Sequence, residues 1–442
     1  MSSLFLPARP GEARVGGLAE TLGTSWRLLW ELPGWSVIAL FWLTFVAELP
    51  RYFLGVQATA AMLLFRERRR HGPIGPLPRV SILLAGHNEE DAIEKCVRSL
   101  RQQTFNDFEI ICVDDGSTDA TFEIMKRLRR EGLVEAAIRL DLRGSKPSAL
   151  NLAASVARGD VFVVVDCDCS FEPNAIEELL RPLAEDPALA GVAGNILVRN
   201  WRKSIVSSLQ GIEYLVSISL GKAYADVLGQ VACISGAFGA FRRRPWMRVH
   251  GMDTGGGEDF DFTVRLRMAG YKVAFARHSI CYTDVPDTLY ALLRQRHRWE
   301  RDTFWVRMRK YKRLFNPFRQ GFRWTETLHQ WDFVLFNLLP TVVFPFYVTW
   351  LVTTYGGFGI VLLGSVSIFL LSFDVLFFCC ALLVSGHFRY WRLLAFVPLF
   401  GPFQSYLMRL DRLYAFATEW IFSRSLRDNY TPQKIRDWAT WK

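Results

Sequence analysis

Two aspartates separated by one residue, Asp166-Cys167-Asp168, follow the short β-branched run Val161 to Val165. At the end of an extended segment that spacing can turn both carboxylates onto one hard cation and leave its other positions to oxygen ligands. Upstream, Asp114-Asp115 open the turn Asp-Asp-Gly-Ser-Thr-Asp after a second apolar run, Glu109 to Val113. A carboxylate just past a strand can accept a pyrimidine N–H or a ribose hydroxyl, and either aspartate suits that role. Acids and hydroxyls in such a turn also cap the following helix, which is the better reading of Asp119. Glu258-Asp259 come after three glycines, Gly255 to Gly257, and open an amphipathic segment. Acids at a helix start are favoured by the backbone dipole, while a glycine lead-in lets a ligand approach the main chain closely. A carboxylate beside an attacking hydroxyl serves as general base; Asp259 is the first candidate and Asp261 the substitute. Finally, Gln295-Arg296-His297-Arg298-Trp299 lies in a basic stretch. There Arg298 can grip a phosphate through two donors, and Trp299 offers an apolar face to a pyranose ring. An interfacial tryptophan with snorkelling arginines would look the same.

Taken together these groups meet what transfer of a sugar from a nucleoside diphosphate requires. The departing diphosphate develops charge that Mg²⁺ or Mn²⁺ neutralises. Positioning them calls for strands alternating with helices. The pattern predicts strands at Val80–Leu84, Glu109–Val113 and Val161–Val165, and helices at Glu90–Gln102, Ala120–Arg130 and Ala149–Ala157. In an open α/β sheet ligands bind beyond the carboxyl ends of the strands, which is where both aspartate pairs fall. A basic helix is expected from about Thr288 to Lys312.

Half of the 442 residues are apolar and the mean hydropathy is positive, which sets the chain apart from ordinary soluble enzymes. Phe333 to Tyr355 carries no charged side chain, and Gly356 to Ser385 carries only Asp374. At about 1.5 Å of rise per residue, each can cross a hydrocarbon layer of roughly 30 Å as a helix. A kinked span is expected near Trp35 to Phe65, starting too far into the chain and running too long for a cleaved signal peptide. The stretch Tyr390 to Phe422, broken by Gly401-Pro402, is left open between a re-entrant, an interfacial and a third C-terminal span. Asp374 in an apolar span lines a polar path or is paired with a neighbouring helix; a charge in lipid is costly otherwise.

Basic residues after the first span (Arg66 to Arg70) and before the second (Arg294 to Arg323) put the polar middle of the chain on the cytoplasmic side. The formal charge of +10 fits attraction to an anionic leaflet. Because the cations cluster beside the spans, nucleic acid is not an expected partner. Eight cysteines without a C-x-x-C pair read as free thiols in a reducing compartment.

From about Val80 to Trp299 the chain resembles the processive family 2 glycosyltransferases, the membrane synthases of cellulose, chitin, hyaluronan and poly-N-acetylglucosamine, whose motifs recur in the same order. The resemblance implies a GT-A, Rossmann-like α/β domain set between transmembrane and interfacial helices, inversion at the anomeric carbon, and a UDP-sugar donor with Mg²⁺ or Mn²⁺. Asp114 and Asp115 match the element that holds uridine, Lys146 a lysine near the donor, and Asp166 and Asp168 the pair on nucleotide and metal. Asp259 matches the catalytic base. Gln295, Arg298 and Trp299 match Q-x-x-R-W, with arginine on the diphosphate and tryptophan on the acceptor sugar. Ser235-Gly236 falls where the family lines its acceptor site. Departures are His87 within Ala85-Gly86-His87-Asn88-Glu89-Glu90, where the family often has Pro-x-Tyr, and Glu300-Arg301-Asp302 after the tryptophan.

The expected organisation is an N-terminal segment with a membrane helix (1–77), a cytoplasmic GT-A domain (78–285), basic interfacial helices carrying Q-x-x-R-W (286–328) and C-terminal membrane or re-entrant helices with a basic tail (329–442). The expected enzyme is a multi-pass inner-membrane protein that polymerises UDP-glucose or UDP-N-acetylglucosamine into a β-linked glycan, coupled to export. A growing glycan or a lipid-linked acceptor, membrane lipids and further copies of the chain are its expected partners. Two alternatives are a non-processive transferase onto a lipid-linked acceptor, which would not need Q-x-x-R-W, and a silent nucleotide-sugar-binding protein, which would have lost acids; none is missing.

Overall fold

The computed structural model describes residues 33–50, 78–253, 255–318 and 323–427, with the single positions 27 and 31. Among these residues eight strands form one sheet: β1 Val80–Gly86, β2 Phe108–Asp114, β3 Ala136–Arg139, β4 Val161–Val165, β5 Ser170–Phe171, β6 Leu189–Val198, β7 Phe238–Arg242 and β8 Lys272–Thr283. Their order is β3-β2-β1-β4-β7-β6-β8-β5. The first four pair in parallel, whereas β7 runs antiparallel to both β4 and β6.

The parallel half is dictated by the apolar runs. Every residue of β4 is buried, and so are six of the seven in β1, as expected of strands covered by helices on both faces. The register sets Gly86 beside Asp114 and Leu84 beside Val165. The ends of β1, β2 and β4 therefore release His87, Asp115 and Asp166 along one edge of the sheet. The predicted strands agree with those observed, and the flanking helices run Ile93–Arg101, Thr121–Arg130 and Lys146–Val156. As expected, Asp119 caps: its carboxylate accepts the Thr121 N–H at 3.0 Å and the Glu90 N–H at 3.2 Å.

Among the described residues three helical stretches are long and apolar enough to cross a membrane: Trp324–Tyr355, Gly357–Ser385 and Phe388–Phe422. The third begins as a tighter 3₁₀ turn, Phe388–Phe396, and continues past Pro402 through a widened turn, Phe403–Met408, into Arg409–Phe422. The proposed N-terminal span is described only as far as Pro50, as a helix Gly34–Leu40 and a widened turn Thr44–Glu48; its remainder and the Arg66–Arg70 cluster lie outside the described residues. Asp374 is buried and opens onto a separate small cavity of about 40 Å³ with Glu48 and Arg409, which form an ion pair. It stands apart from the large cavity described below.

The sheet domain is fastened to these helices by polar contacts at their ends. Glu326 takes both prongs of Arg267, at 2.7 and 3.0 Å, in a pair almost fully withdrawn from solvent. The Tyr390 hydroxyl donates to the Val198 carbonyl at 2.9 Å, and its ring packs on Trp201. All eight cysteines are free.

Candidate active site

A cavity of about 1790 Å³ opens at the carboxyl ends of β1, β2 and β4 and extends to the helix Leu289–Trp305. Its wall includes His87, Glu89, Asp115, Lys146, Asp166, Asp168, Ser235, Gly236, Asp259, Gln295, Arg298 and Trp299. Of the residues that the family resemblance assigns to the site, Asp114 is the one that this wall does not include. It is fully buried beneath, where it accepts the Ser117 N–H at 3.2 Å and faces Arg139 at 3.4 Å. The reason is strand alternation: consecutive side chains point to opposite faces, so only one of the pair can reach the cavity.

Asp115 is that one. Its two oxygens accept the N–H groups of Gly144 (2.6 Å) and Ser145 (2.9 Å), and its own carbonyl meets His87 Nδ1 at 3.0 Å. Ser145 adopts φ +96°, a conformation L-residues seldom take, which turns its amide toward Asp115. Gly116 allows the two loops to close, since at φ +68° a Cβ there would lie 2.8 Å from the Arg143 amide nitrogen.

Lys146, first in its helix, binds Asp166 and donates to the Gly236 carbonyl at 3.0 Å. Burial opposes its charge, but Asp166, Glu258 and Asp259 outweigh that and hold its pKa above the ordinary value. Asp168 accepts from Thr283 at 3.2 Å. Burial and then Asp166 raise its pKa, and burial with Asp168, Asp166 and Asp119 pushes Glu89 up to about 7. Three carboxyls thus crowd one wall with a single ammonium against them, a donor set suited to a hard divalent cation. Among the described residues no three acidic, histidine or cysteine side chains converge closely enough to hold a metal by themselves. Diphosphate oxygens and water would complete the coordination around Asp166 and Asp168.

Across the cavity, Gly257 enters the helix Glu258–Met268 at φ +73°. Asp259 Oδ2 accepts the Gly236 N–H at 3.2 Å, joining the helix start to the Ser235-Gly236 turn. Lys222 holds Ser235 Oγ at 2.6 Å. Burial and Asp259 raise the pKa of Glu258. Asp261, the substitute base, is buried away from the cavity and bound by Arg265 (2.9 Å), Lys310 (2.8 Å) and Tyr311 (2.7 Å).

Gln295, Arg298 and Trp299 share one helical face because residues three and four apart do so. Gln295 Oε1 is buried with no hydrogen-bond partner among the described residues, and Trp299 is 37% exposed. Of the residues after Trp299, Glu300 binds Arg412 at 2.9 Å, whereas Arg301 and Asp302 line the cavity. Asp302 lies so close to Gly256 that a Cβ there would come within 2.2 Å of its carboxylate.

Sequence reasoning passed over Glu89, Glu213, Lys222, Asp411 and Tyr414. Glu89 had a signal, its place two residues after His87 at the end of β1. The others reach the site, or its supports, from distant elements and carry no local pattern.

A mixed sheet whose parallel half ends in these acids defines a GT-A glycosyltransferase fold. Residues 81–249 match the model of the family described as Glycosyl transferase family 2, so the chain carries a family 2 glycosyltransferase domain. The chain is 30% identical over 239 residues to the poly-β-1,6-N-acetyl-D-glucosamine synthase of Staphylococcus aureus (strain MSSA476), covering 54% of this chain and 58% of that protein. The synthase of the same name from Staphylococcus epidermidis is 26% identical over 275 residues, covering 62% and 65%. The match thus spans under two thirds of these relatives' length. Among solved structures, a mannosyltransferase from Pyrobaculum calidifontis, in complex with GDP-Man and Mn²⁺, superposes with a TM-score of 0.59 at 17% identity, over 91% of this chain and 99% of that one. That likeness is one of fold.

Proposed function

We propose that the protein is an inverting, processive glycosyltransferase that polymerises a UDP-sugar into a β-linked glycan at the inner face of a cell membrane. The names of its synthase relatives favour UDP-N-acetylglucosamine over UDP-glucose. The observation that carries the reading is a single cavity that joins Asp115, Asp166 and Asp168 to Asp259 and to Trp299. Its far wall, the helix Leu289–Trp305, packs on Arg409–Phe422, the end of the stretch Phe388–Phe422 that is apolar and long enough to span a membrane.

In this reading Asp115 and the Gly144-Ser145 amides frame the uridine pocket, with His87 beside them. Asp168 and Asp166 would hold Mg²⁺ or Mn²⁺, which neutralises charge on the departing diphosphate. Arg298 and Lys146 face the same group as fixed cations. Asp259 takes the proton of the acceptor hydroxyl. The freed oxygen pair then bonds to the anomeric carbon from the side opposite the donor bond, and that carbon–oxygen bond breaks with its electrons leaving on UDP. Trp299 offers its face to the terminal sugar of the glycan. The basic run before Trp324 supports a cytoplasmic placement of this cavity.

The test is to purify the protein in detergent with Mn²⁺ or Mg²⁺, supply a panel of UDP-sugars, and measure UDP release and product length. Release with UDP-N-acetylglucosamine above all other donors, with long products, supports the reading. No release with any UDP-sugar would overturn it.

A further inference from the structure

Arg296, at an unspecified position of the Q-x-x-R-W segment, is held from two sides. Its guanidinium carbon lies 4.7 Å from the centroid of the Trp299 ring, one helical turn further on. The guanidinium nitrogens meet both oxygens of Glu213, at 2.8 and 2.9 Å. The two side chains are 13% and 18% exposed. Glu213 ends the helix Ile205–Glu213 of the sheet domain, so the pair crosses from that domain to the helix that bears Trp299. A planar guanidinium held by two parallel hydrogen bonds cannot rotate freely. Stacked on an indole, it therefore restricts that ring as well.

We propose that Glu213 and Arg296 are positioning residues that hold the Trp299 ring at the angle the acceptor sugar requires, with the cation on one face of the indole and the other face left for the glycan. Both side chains line the cavity beside Trp299, and in this proposal they act on the acceptor through the ring. The inference rests on Trp299 being the acceptor platform of the proposed function. Because a freely rotating indole is a poor platform, loosening the pair weakens acceptor binding and shortens the product while the donor site, built mainly at the ends of β1, β2 and β4 with only Arg298 from this helix, keeps its affinity.

The experiment compares Arg296→Lys, which keeps the charge and loses the planar fork, and Glu213→Gln with the wild type, each alone and combined with Trp299→Ala. Initial rates are measured with UDP-N-acetylglucosamine and a soluble β-linked N-acetylglucosamine oligosaccharide as acceptor. Expected is an acceptor KM about tenfold higher in each single variant, as for loss of about 1.4 kcal/mol, with donor KM within about twofold. In the Trp299→Ala background neither change raises acceptor KM further. Where Glu213→Gln does not fold, Glu213→Asp, which keeps the charge at shorter reach, takes its place. Equal effects with and without Trp299, or donor and acceptor KM rising together, would overturn the proposal and mark the pair as structural. If Trp299→Ala leaves acceptor KM unchanged, the platform reading itself fails. If only Trp299→Ala raises it, the platform stands and the positioning role falls.

Discussion

The two sides of the cavity are built by different means. The side proposed for the donor rests on three neighbouring parallel strands, β2, β1 and β4, buried for most of their length, whose ends lie in register, so His87, Asp115 and Asp166 are placed by main-chain geometry. The acceptor side rests on one helix, Leu289–Trp305, held from outside the sheet by long-range polar pairs: Arg296 with Glu213 and Arg412 with Glu300. Two hydrogen bonds also tie the next element, Arg309, to Ser423 and Glu419. A sheet edge is rigid because many ladder bonds must break together, whereas a helix held by a few side chains can shift as a unit. A site proposed to bind a fresh donor in each cycle while a retained, lengthening acceptor moves past it benefits from that division.

Asp259 stands between the two sides, and replacing it tests both. Asp259→Asn is expected to lower kcat by roughly 10²–10⁴-fold, the usual worth of a general base, with UDP binding unchanged by calorimetry. Activity within a factor of a few of the wild type would remove Asp259 from the chemistry. Next in size is the link between the sheet domain and Trp324–Tyr355. Glu326→Ala leaves the Arg267 cation buried without its partner, which costs about 3–5 kcal/mol. Thermal unfolding in detergent should show that loss as a markedly lower Tm; an unchanged Tm would mean that the two parts are held together elsewhere. A smaller effect is expected from Tyr390→Phe, about 1 kcal/mol from one hydrogen bond. It should loosen the contact of Val198 with Phe388–Phe422 and leave donor KM alone.

The donor side also makes a pH prediction. Glu89, ordinarily near 4.5, is held at about 7 by burial and by Asp168, Asp166 and Asp119. The folded protein therefore keeps a proton that the unfolded chain has already lost, and metal-free stability falls as pH rises from about 4.5 to about 7. Glu89→Gln should flatten that slope in chemical-denaturation curves. A slope identical to wild type would place the titration elsewhere.

The same contrast governs what could be read from the chain. Strands β1, β2 and β4 were legible because double-sided burial demands continuous apolar runs, and the acids at their ends stood out for the same reason. The apolar helices 339–355 and 357–385 were equally plain. Choosing between Asp114 and Asp115 required knowing which face of β2 meets the cavity, whereas Asp259 already ranked above Asp261 from its place after the glycines. Tyr390 to Phe422 stayed ambiguous because Gly401-Pro402 ordinarily breaks a helix, yet here a widened turn at Phe403–Met408 carries the chain on. Nothing local marks Glu213, Lys222 or Arg412, which join the site across long sequence separations.

The central claim is that one cavity couples a donor site to a platform for a growing chain. Its most direct measurement is the product-length distribution when UDP-N-acetylglucosamine is supplied with a large excess of oligosaccharide acceptor over enzyme. A processive enzyme gives long chains while most acceptors remain unextended. If every acceptor instead gains one sugar before any gains two, the protein is a distributive transferase and the claim fails.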